Sequence, residues 1–161
     1  MSVDMFIKLE GIKGESIDHK HKDEIDVLAW SWGMSQSGTT HMGAGSGAGK
    51  VNVQDLSLTK YVDKASPNLM KFCCNGKHIK EAILTVRKAG EKPLEYIVIT
   101  MKDAIISSVS TGGSGGEDRL TENVTLNFGQ VKTAYTPQKA DGSGDAAIEM
   151  TWNIATNTEK L

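Results

Sequence analysis

The segment Glu24-Ile25-Asp26-Val27-Leu28-Ala29-Trp30-Ser31-Trp32-Gly33-Met34-Ser35-Gln36 is the most informative part of the sequence. If it forms one strand, alternation places Leu28, Trp30, Trp32 and Met34 on a single face. Each tryptophan can bury roughly 200 Å² of surface, so this face predicts a core. The opposite face carries only small residues. It predicts a smooth surface along which another molecule can slide or pack.

Further alternating segments predict strands on both sides of this one, and Gly129 predicts a bulge because the apolar phase shifts after it. Trp30, Trp32, Phe128 and Trp152 are expected in the core. The segments are 3–9, 51–60, 82–88, 94–101, 103–111, 120–135 and 148–154.

One helix is indicated by the residues expected at its two ends. Ser66 is expected as its N-cap, Pro67 suits its first turn, and Gly76 suits the position past its end. Leu69, Met70, Phe72 and Cys73 are expected to form its apolar stripe. Together with eight or nine strands, this predicts a mainly β protein, a two-sheet antiparallel β-barrel or sandwich with one short α-helix.

The composition fits one soluble domain over residues 1–161. A net charge of −2 argues against electrostatic binding to nucleic acid or anionic membranes. No apolar run approaches the roughly 20 residues of a membrane helix, so membrane insertion is not expected. The N-terminus has no hydrophobic signal-peptide core, so we expect folding in the cytoplasm.

Residue types that carry chemistry occur without the spacing that chemistry requires. Cys73 and Cys74 are adjacent and are interpreted as free thiols, with a vicinal redox pair as the alternative. The glycine-rich stretch ending at Gly49-Lys50 leads into a strand, whereas a nucleotide loop must open a helix. His19 and His21 are expected in a solvated loop, as are the isolated His41 and His78.

No serine, histidine and carboxylate arrangement or paired-carboxylate site is indicated, so the chain is not expected to be an enzyme. No metal site and no cofactor are expected.

Several strings resemble the Hcp (haemolysin-coregulated protein) family along nearly the whole chain. They are Val3-Asp4-Met5-Phe6-Ile7-Lys8, Ile25-Asp26-Val27-Leu28-Ala29-Trp30-Ser31-Trp32-Gly33, Ser110-Thr111-Gly112-Gly113-Ser114-Gly115-Gly116-Glu117-Asp118, Val124-Thr125-Leu126-Asn127-Phe128 and Tyr135-Thr136-Pro137-Gln138. The resemblance implies a single tube-subunit domain of the bacterial type VI secretion system. It implies a homohexameric ring that stacks into the inner tube and leaves the cell on firing without a cleaved signal peptide.

The partners implied are the sheath, spike and baseplate proteins, and small effector proteins that the ring lumen holds and stabilises. For a lumen that binds effectors, the predicted residues are Ala29, Ser31, Gly33, Ser35, Gly113 and Ser114. The alternative is that these are ordinary exposed or sheet-packed small residues.

The glycine-rich 37–50 segment is too poor in apolar residues to build a core, and it predicts an arm that reaches a neighbouring subunit or ring. Its contact residues are predicted to be Gly38, Thr39, Thr40, His41, Met42, Gly43, Gly45, Gly47 and Gly49. A second hypothesis is a monomeric, lectin-like β-sandwich that uses this loop to capture a ligand.

Overall fold

The computed structural model describes residues 2–38 and 49–161. These parts of the chain contain ten strands and one helix, which confirms the mainly β class. In chain order the elements are β1 (Val3–Leu9), β2 (Ile25–Asp26), β3 (Ala29–Ser31), β4 (Met34–Ser35), β5 (Asn52–Val53), β6 (Leu56–Tyr61), α1 (Ser66–Asn75), β7 (Ile79–Lys88), β8 (Leu94–Thr111), β9 (Thr121–Tyr135) and β10 (Ile148–Asn153).

The large sheet is antiparallel and curls back on itself. Its order is β2-β1-β7-β8-β9-β6-β3, with β10 also paired to β9, and β4-β5 form a small second sheet. The two ends of that order, β2 and β3, are neighbours in the chain. Val27 N–H donates to the Met5 carbonyl at 2.9 Å, and Leu28 N–H donates to the Thr59 carbonyl at 2.8 Å. The segment 25–31 therefore joins β1 to β6 and closes the curl, which confirms the predicted barrel-like fold.

The predicted single strand 24–36 is wrong, because three short strands take its place. They pair in turn with β1, β6 and β5. Ile25 and Val27 point into the core and are buried. Leu28 and Met34, which were predicted on the core face, are 40% and 47% exposed. The two tryptophans of this stretch are half-buried and pack against the core.

Further predicted strands need correction. The segments 94–101 and 103–111 form the single strand β8. The segment 51–60 forms β5 and β6 as separate strands. The last strand, β10, does not close the core, because Ile148 is 66% exposed and Met150 is 38% exposed. Trp152 is half-buried against the core and Phe128 is buried.

The two longest strands, β8 and β9, change their buried face at the same point. On β9 the buried residues include Leu126 and Phe128 before Gly129, and Val131 after it. On β8 the switch falls between Met101 and Ala104, around Asp103, whose φ is 53°. The predicted phase shift at Gly129 is thus confirmed. The predicted bulge at Gly129 is wrong, because the β8–β9 register runs unbroken past it and shifts between Ile106 and Ser108.

Helix α1 begins one residue earlier than the sequence predicts, so the predicted N-cap at Ser66 is wrong. Ala65 occupies the N-cap without a side-chain hydrogen bond, and Ser66 is the first helical residue. Gly76 ends the helix with φ 65°, as expected. Leu69 and Phe72 are buried as predicted. Met70 is 37% exposed, so its predicted place in the apolar stripe is wrong.

The Ser66 hydroxyl serves a buried polar cluster rather than the helix cap. Lys60 and Glu122 are both fully buried, and Lys60 Nζ lies 2.5 Å from Glu122 Oε1 and 2.8 Å from Asp63 Oδ1. Ser66 Oγ donates to Glu122 Oε1 and accepts from Lys60 Nζ. The cluster ties the helix N-terminus to β6 and β9 in the buried interior.

The loop between β1 and β2 covers the outer side of β1 and β7. His21 is 7% exposed, so its predicted solvated position is wrong. Its ring stacks on Phe6 at 4.5 Å between centroids, and its nitrogens lie 2.9 Å from Glu24 Oε2 and 2.7 Å from Glu95 Oε1. His19 and His78 are exposed, and His41 lies outside the described residues.

A bidentate ion pair fastens the same loop to the sheet. Arg87 Nη1 and Nη2 donate to the two carboxylate oxygens of Asp18 at 2.9 and 2.6 Å, and Nη2 also donates to Asp4 at 3.2 Å. The hydrogen bonds from Arg87 hold the pKa of the Asp18 carboxyl well below its usual range.

Lys60→Met should destabilise the protein by about 3–5 kcal/mol, because it leaves the Glu122 carboxylate buried without its counter-charge. The double variant Lys60→Met/Glu122→Leu should recover most of that loss, since an apolar pair replaces the whole ion pair. Urea unfolding at one fixed protein concentration measures both. A double variant at least as unstable as the single one would contradict this account.

Asp18→Asn should lower stability at neutral pH, and the difference from the unchanged protein should shrink in acid. A carboxyl whose pKa is depressed by folding contributes its stability above about pH 3.9, its ordinary pKa, and loses it as the pH falls toward the folded value. Urea unfolding over a pH series tests this. Asp118→Asn, in the exposed 112–118 turn, is the control, and a deficit independent of pH would count against the ion pair.

Candidate functional site: a neutral polar face of the sheet

Short polar side chains cover the face of the sheet that lies opposite the core. Cross-strand pairing aligns Ser31 with Ser57, Ser57 with Thr125, and Thr125 with Ser108. A second row aligns Ala29 with Thr59, Thr59 with Asn123, and Asn123 with Ser110. We call these residues the polar strip: Ala29, Ser31, Ser57, Thr59, Ser108, Ser110, Asn123 and Thr125.

The strip exists because β6 and β9 alternate strictly. Leu56 and Leu58 on β6, and Val124 and Leu126 on β9, are at most 2% exposed and point into the core. Residues between them must therefore point the other way. The strip residues are exposed or half-buried, and no charged side chain belongs to the two rows.

Two hydrogen bonds link polar side chains within the strip. Thr59 Oγ1 donates to Asn123 Oδ1 at 2.7 Å, and the Thr125 hydroxyl lies 2.6 Å from the Ser108 hydroxyl. At the margin of the strip, Asp55 accepts from Ser107 Oγ at 2.7 Å and from Asn127 Nδ2 at 2.8 Å. A surface whose polar groups bond to one another offers few strong anchors to a passing molecule.

The shift in the β8–β9 register adds a hydroxyl at the edge of the strip. Ile106 pairs with Leu126 and Ser108 pairs with Thr125, so Ser107 is an extra residue on β8. Its hydroxyl lies 2.7 Å from that of Thr125. Both serines therefore reach the same threonine.

Four of the six predicted lumen residues are brought to this face. Ala29 and Ser31 belong to the strip, and both are exposed. Gly113 and Ser114, in the turn after β8, line a shallow pocket of about 330 Å³ together with the strip residues Ser110 and Asn123. The turn thus continues the surface of the strip.

The other two predicted lumen residues, Gly33 and Ser35, lie outside the large sheet. The Gly33 carbonyl accepts from Gln54 N–H at 2.9 Å, and Ser35 pairs with Asn52 in the small sheet. They do not extend the rows that Ser31 begins. Their separation follows from the break in the predicted strand 24–36.

Most of the predicted contact arm lies outside the described residues. Gly38 and Gly49 are exposed. The remaining predicted residues lie outside the described residues: Thr39, Thr40, His41, Met42, Gly43, Gly45 and Gly47.

The sequence patterns do not single out the strip residues on β6, β8 and β9, which are Ser57, Thr59, Ser108, Ser110, Asn123 and Thr125. The signal was present on two of those strands, in the alternation 56–59 and 123–127 of apolar with small polar residues. That pattern assigns a face to each residue. It does not say that β3, β6, β9 and β8 are consecutive neighbours.

A second surface feature is an apolar groove of about 490 Å³ between the small sheet and β10. Its apolar lining includes Trp32, Met34, Val51, Val53, Val131, Met150 and Trp152. Met34 and Met150 are both more than one-third exposed. At the groove, the core face of the sheet continues beyond the elements that cover it elsewhere.

Over residues 2–38 and 49–161, no cluster of three or more His, Cys, Asp or Glu side chains could hold a metal ion. The helix in this part of the chain is too short and too polar to span a bilayer. Cys73 is half-buried and Cys74 exposed on α1, both as free thiols.

Comparison with protein families shows the family to which this chain is similar. The sequence profile of the family described as "Type VI secretion system effector, Hcp" matches residues 6–135. The curated protein hcp1 of Pseudomonas aeruginosa is 65% identical over 161 residues, which is 99% of each chain.

Solved structures agree with that match. A type six secretion system protein superposes with a TM-score of 0.93 at 30% identity, covering 99% of this chain and all of its own. Hcp1 from Salmonella typhimurium is 40% identical with a TM-score of 0.80 and the same coverage. The similarity therefore extends over the whole length of both molecules.

Proposed function

We propose that this chain, which belongs to the Hcp family of type VI secretion system proteins, is a structural subunit of the inner tube of that system. Subunits would form hexameric rings that stack into a tube and are exported on firing. The polar strip would face the lumen, where small effector proteins are held.

The observation that carries this proposal is the chemistry of the polar strip. Its side chains are short and uncharged, and several bond to one another. A lining of this kind presents neither an apolar patch nor a net charge to a cargo, so no single contact dominates binding. Weak, distributed contact suits a channel that must hold a protein and later release it.

Exposed apolar surface supports self-assembly. The groove beside β10, together with Tyr135 and Ile148, leaves large side chains uncovered on a single chain. Such surface marks contacts with other proteins. In a ring these contacts are heterologous, so each subunit must carry two different complementary surfaces. The arm between Gly38 and Gly49 is the proposed contact with a neighbouring subunit or ring.

The further partners we propose are the sheath around the tube, the spike at its tip and the baseplate beneath it. The protein would reside in the cytoplasm until firing and then enter the medium or a target cell without a cleaved signal peptide. This role depends on shape, and it requires no cofactor and no catalytic residue. The lectin-like alternative receives no support from the relatives, which are type VI secretion proteins.

The purified protein should form annular particles with a mass near six times the 17.3 kDa chain. Negative-stain electron microscopy and light scattering measure shape and mass independently. A chain that stays monomeric at high concentration would refute the tube assignment.

Ser31→Gln and Ser114→Gln should each reduce the amount of effector that co-purifies, because a longer side chain intrudes on the proposed lumen. Ring formation should persist in both variants. Asn68→Gln, on the exposed side of α1, serves as the control and should retain effector. Loss of rings in the Ser31 or Ser114 variant would place that residue at a subunit contact instead.

A further inference from the structure

At one end of the polar strip, four side chains form a continuous line of hydrogen bonds. The Ser108 hydroxyl lies 2.6 Å from the Thr125 hydroxyl, which lies 2.7 Å from the Ser107 hydroxyl. Ser107 Oγ in turn donates to Asp55 Oδ2 at 2.7 Å. We call Ser108, Thr125, Ser107 and Asp55 the hydroxyl relay. It begins on the strip and ends at a carboxylate on its margin.

Counting hydrogens fixes the direction of every bond in the relay. A hydroxyl carries one hydrogen, and a carboxylate carries none. Ser107 gives its hydrogen to Asp55, so Thr125 must be the donor in its contact with Ser107. The Thr125 hydrogen is then used, so Ser108 must be the donor in its contact with Thr125. All three hydroxyl hydrogens therefore point along the relay toward Asp55.

Asp55 is held as an acceptor from two sides. Asn127 Nδ2 donates to Asp55 Oδ1 at 2.8 Å, while Ser107 uses the other carboxylate oxygen. A hydrogen bond to a charged acceptor is stronger than one between neutral groups, and each bond in a line polarises the next. The carboxylate at the end of the relay therefore stabilises the inward direction of all three hydroxyls.

A relay that runs toward Asp55 leaves acceptors on the surface of the strip. Ser107 and Ser108 are exposed and Thr125 is half-buried. Their oxygens keep lone pairs for a further contact, but their hydrogens are already engaged. A group that faces them can donate a hydrogen bond to them, and it receives none from them. The register shift makes this possible, because Ser107 is the extra residue that links Thr125 to Asp55.

The geometry points to Asp55 as the residue that sets the hydrogen-bonding specificity of this end of the strip. By directing the hydroxyls inward, it makes the surface a hydrogen-bond acceptor. The cargo that fits is a polypeptide surface rich in N–H donors, such as free backbone amides and the side chains of Asn, Gln, Lys and Arg. This inference rests on the proposed lumen and adds its chemical preference. Asp55 is a positioning residue, since it acts through Ser107 and Thr125.

Two uncharged peptides measure this preference without a contribution from net charge. One is an alanine–glycine peptide with blocked ends, and the other is the same peptide with every backbone nitrogen methylated, which leaves only acceptors. Saturation-transfer NMR with the purified protein reports the weak binding of each peptide. The N–H peptide should bind more strongly by about twofold to tenfold, the range that one net hydrogen bond gives.

Asp55→Asn should bring that ratio toward one. With its amide oxygen held by Asn127, the new side chain presents its nitrogen to Ser107 Oγ, which reverses the relay and turns the Ser108 hydrogen outward. Ser107→Ala should have the same effect, because it frees the Thr125 hydrogen. The matched control is Ser108→Ala, which removes the first hydroxyl of the relay, frees no hydrogen and should retain the ratio.

A ratio near one in the unchanged protein would overturn the relay, and so would equal ratios in the Ser107→Ala and Ser108→Ala variants. If rings are present on microscope grids, either result leaves the tube assignment standing. The relay lies within a single chain, so it can be measured in any assembly state. A preference for the N–H peptide in a protein that forms no rings would support the relay and refute the tube.

Discussion

The structure depends on the antiparallel ribbon formed by β8 and β9, to which most of the sheet is attached. Strand β9 pairs with β8 along most of its length and with β6 and then β10 on its other edge. Side-chain alternation along this ribbon fixes which residues enter the core and which face outward. The polar strip and the buried leucines are two consequences of the same alternation. A shift of the strand register by one residue would turn the polar side chains into the core and the leucines outward.

The change of face at Asp103 and Gly129 divides the β8–β9 ribbon into two regions that bury opposite faces. Before Gly129, β9 supports the barrel, with small polar residues outside and apolar residues inside. After it, the opposite parity faces the core, and that face runs outward to β10, where Ile148 and Met150 are exposed. The barrel region carries the proposed lumen, and the region after Gly129 carries the apolar groove beside β10. A local change in backbone conformation thus lets the β8–β9 pair contribute to both regions.

Charged groups stabilise the places where the chain must be held without a strand partner. Lys60 and Glu122 anchor the start of α1 from within the core, and Arg87 clamps the β1–β2 loop through Asp18. These ion pairs are in protected positions, where removing one partner is costly. They act on the scaffold and leave the polar strip neutral.

The sequence by itself determined the class of the fold, most of its strands, the existence and C-terminus of its helix, and the family, because alternation, glycine positions and long specific strings are local properties. It also placed Ser31 and Ala29 on a small-residue face, as the structure does. It did not reveal that Leu28 and Met34 are exposed, that His21 is buried, or that Ser66 serves Glu122. For the last two, the deciding partners are distant in sequence: His21 and Glu95 are 74 residues apart, and Ser66 and Glu122 are 56 residues apart. Only the tertiary structure decides which strands become neighbours, and so which small residues join into one surface.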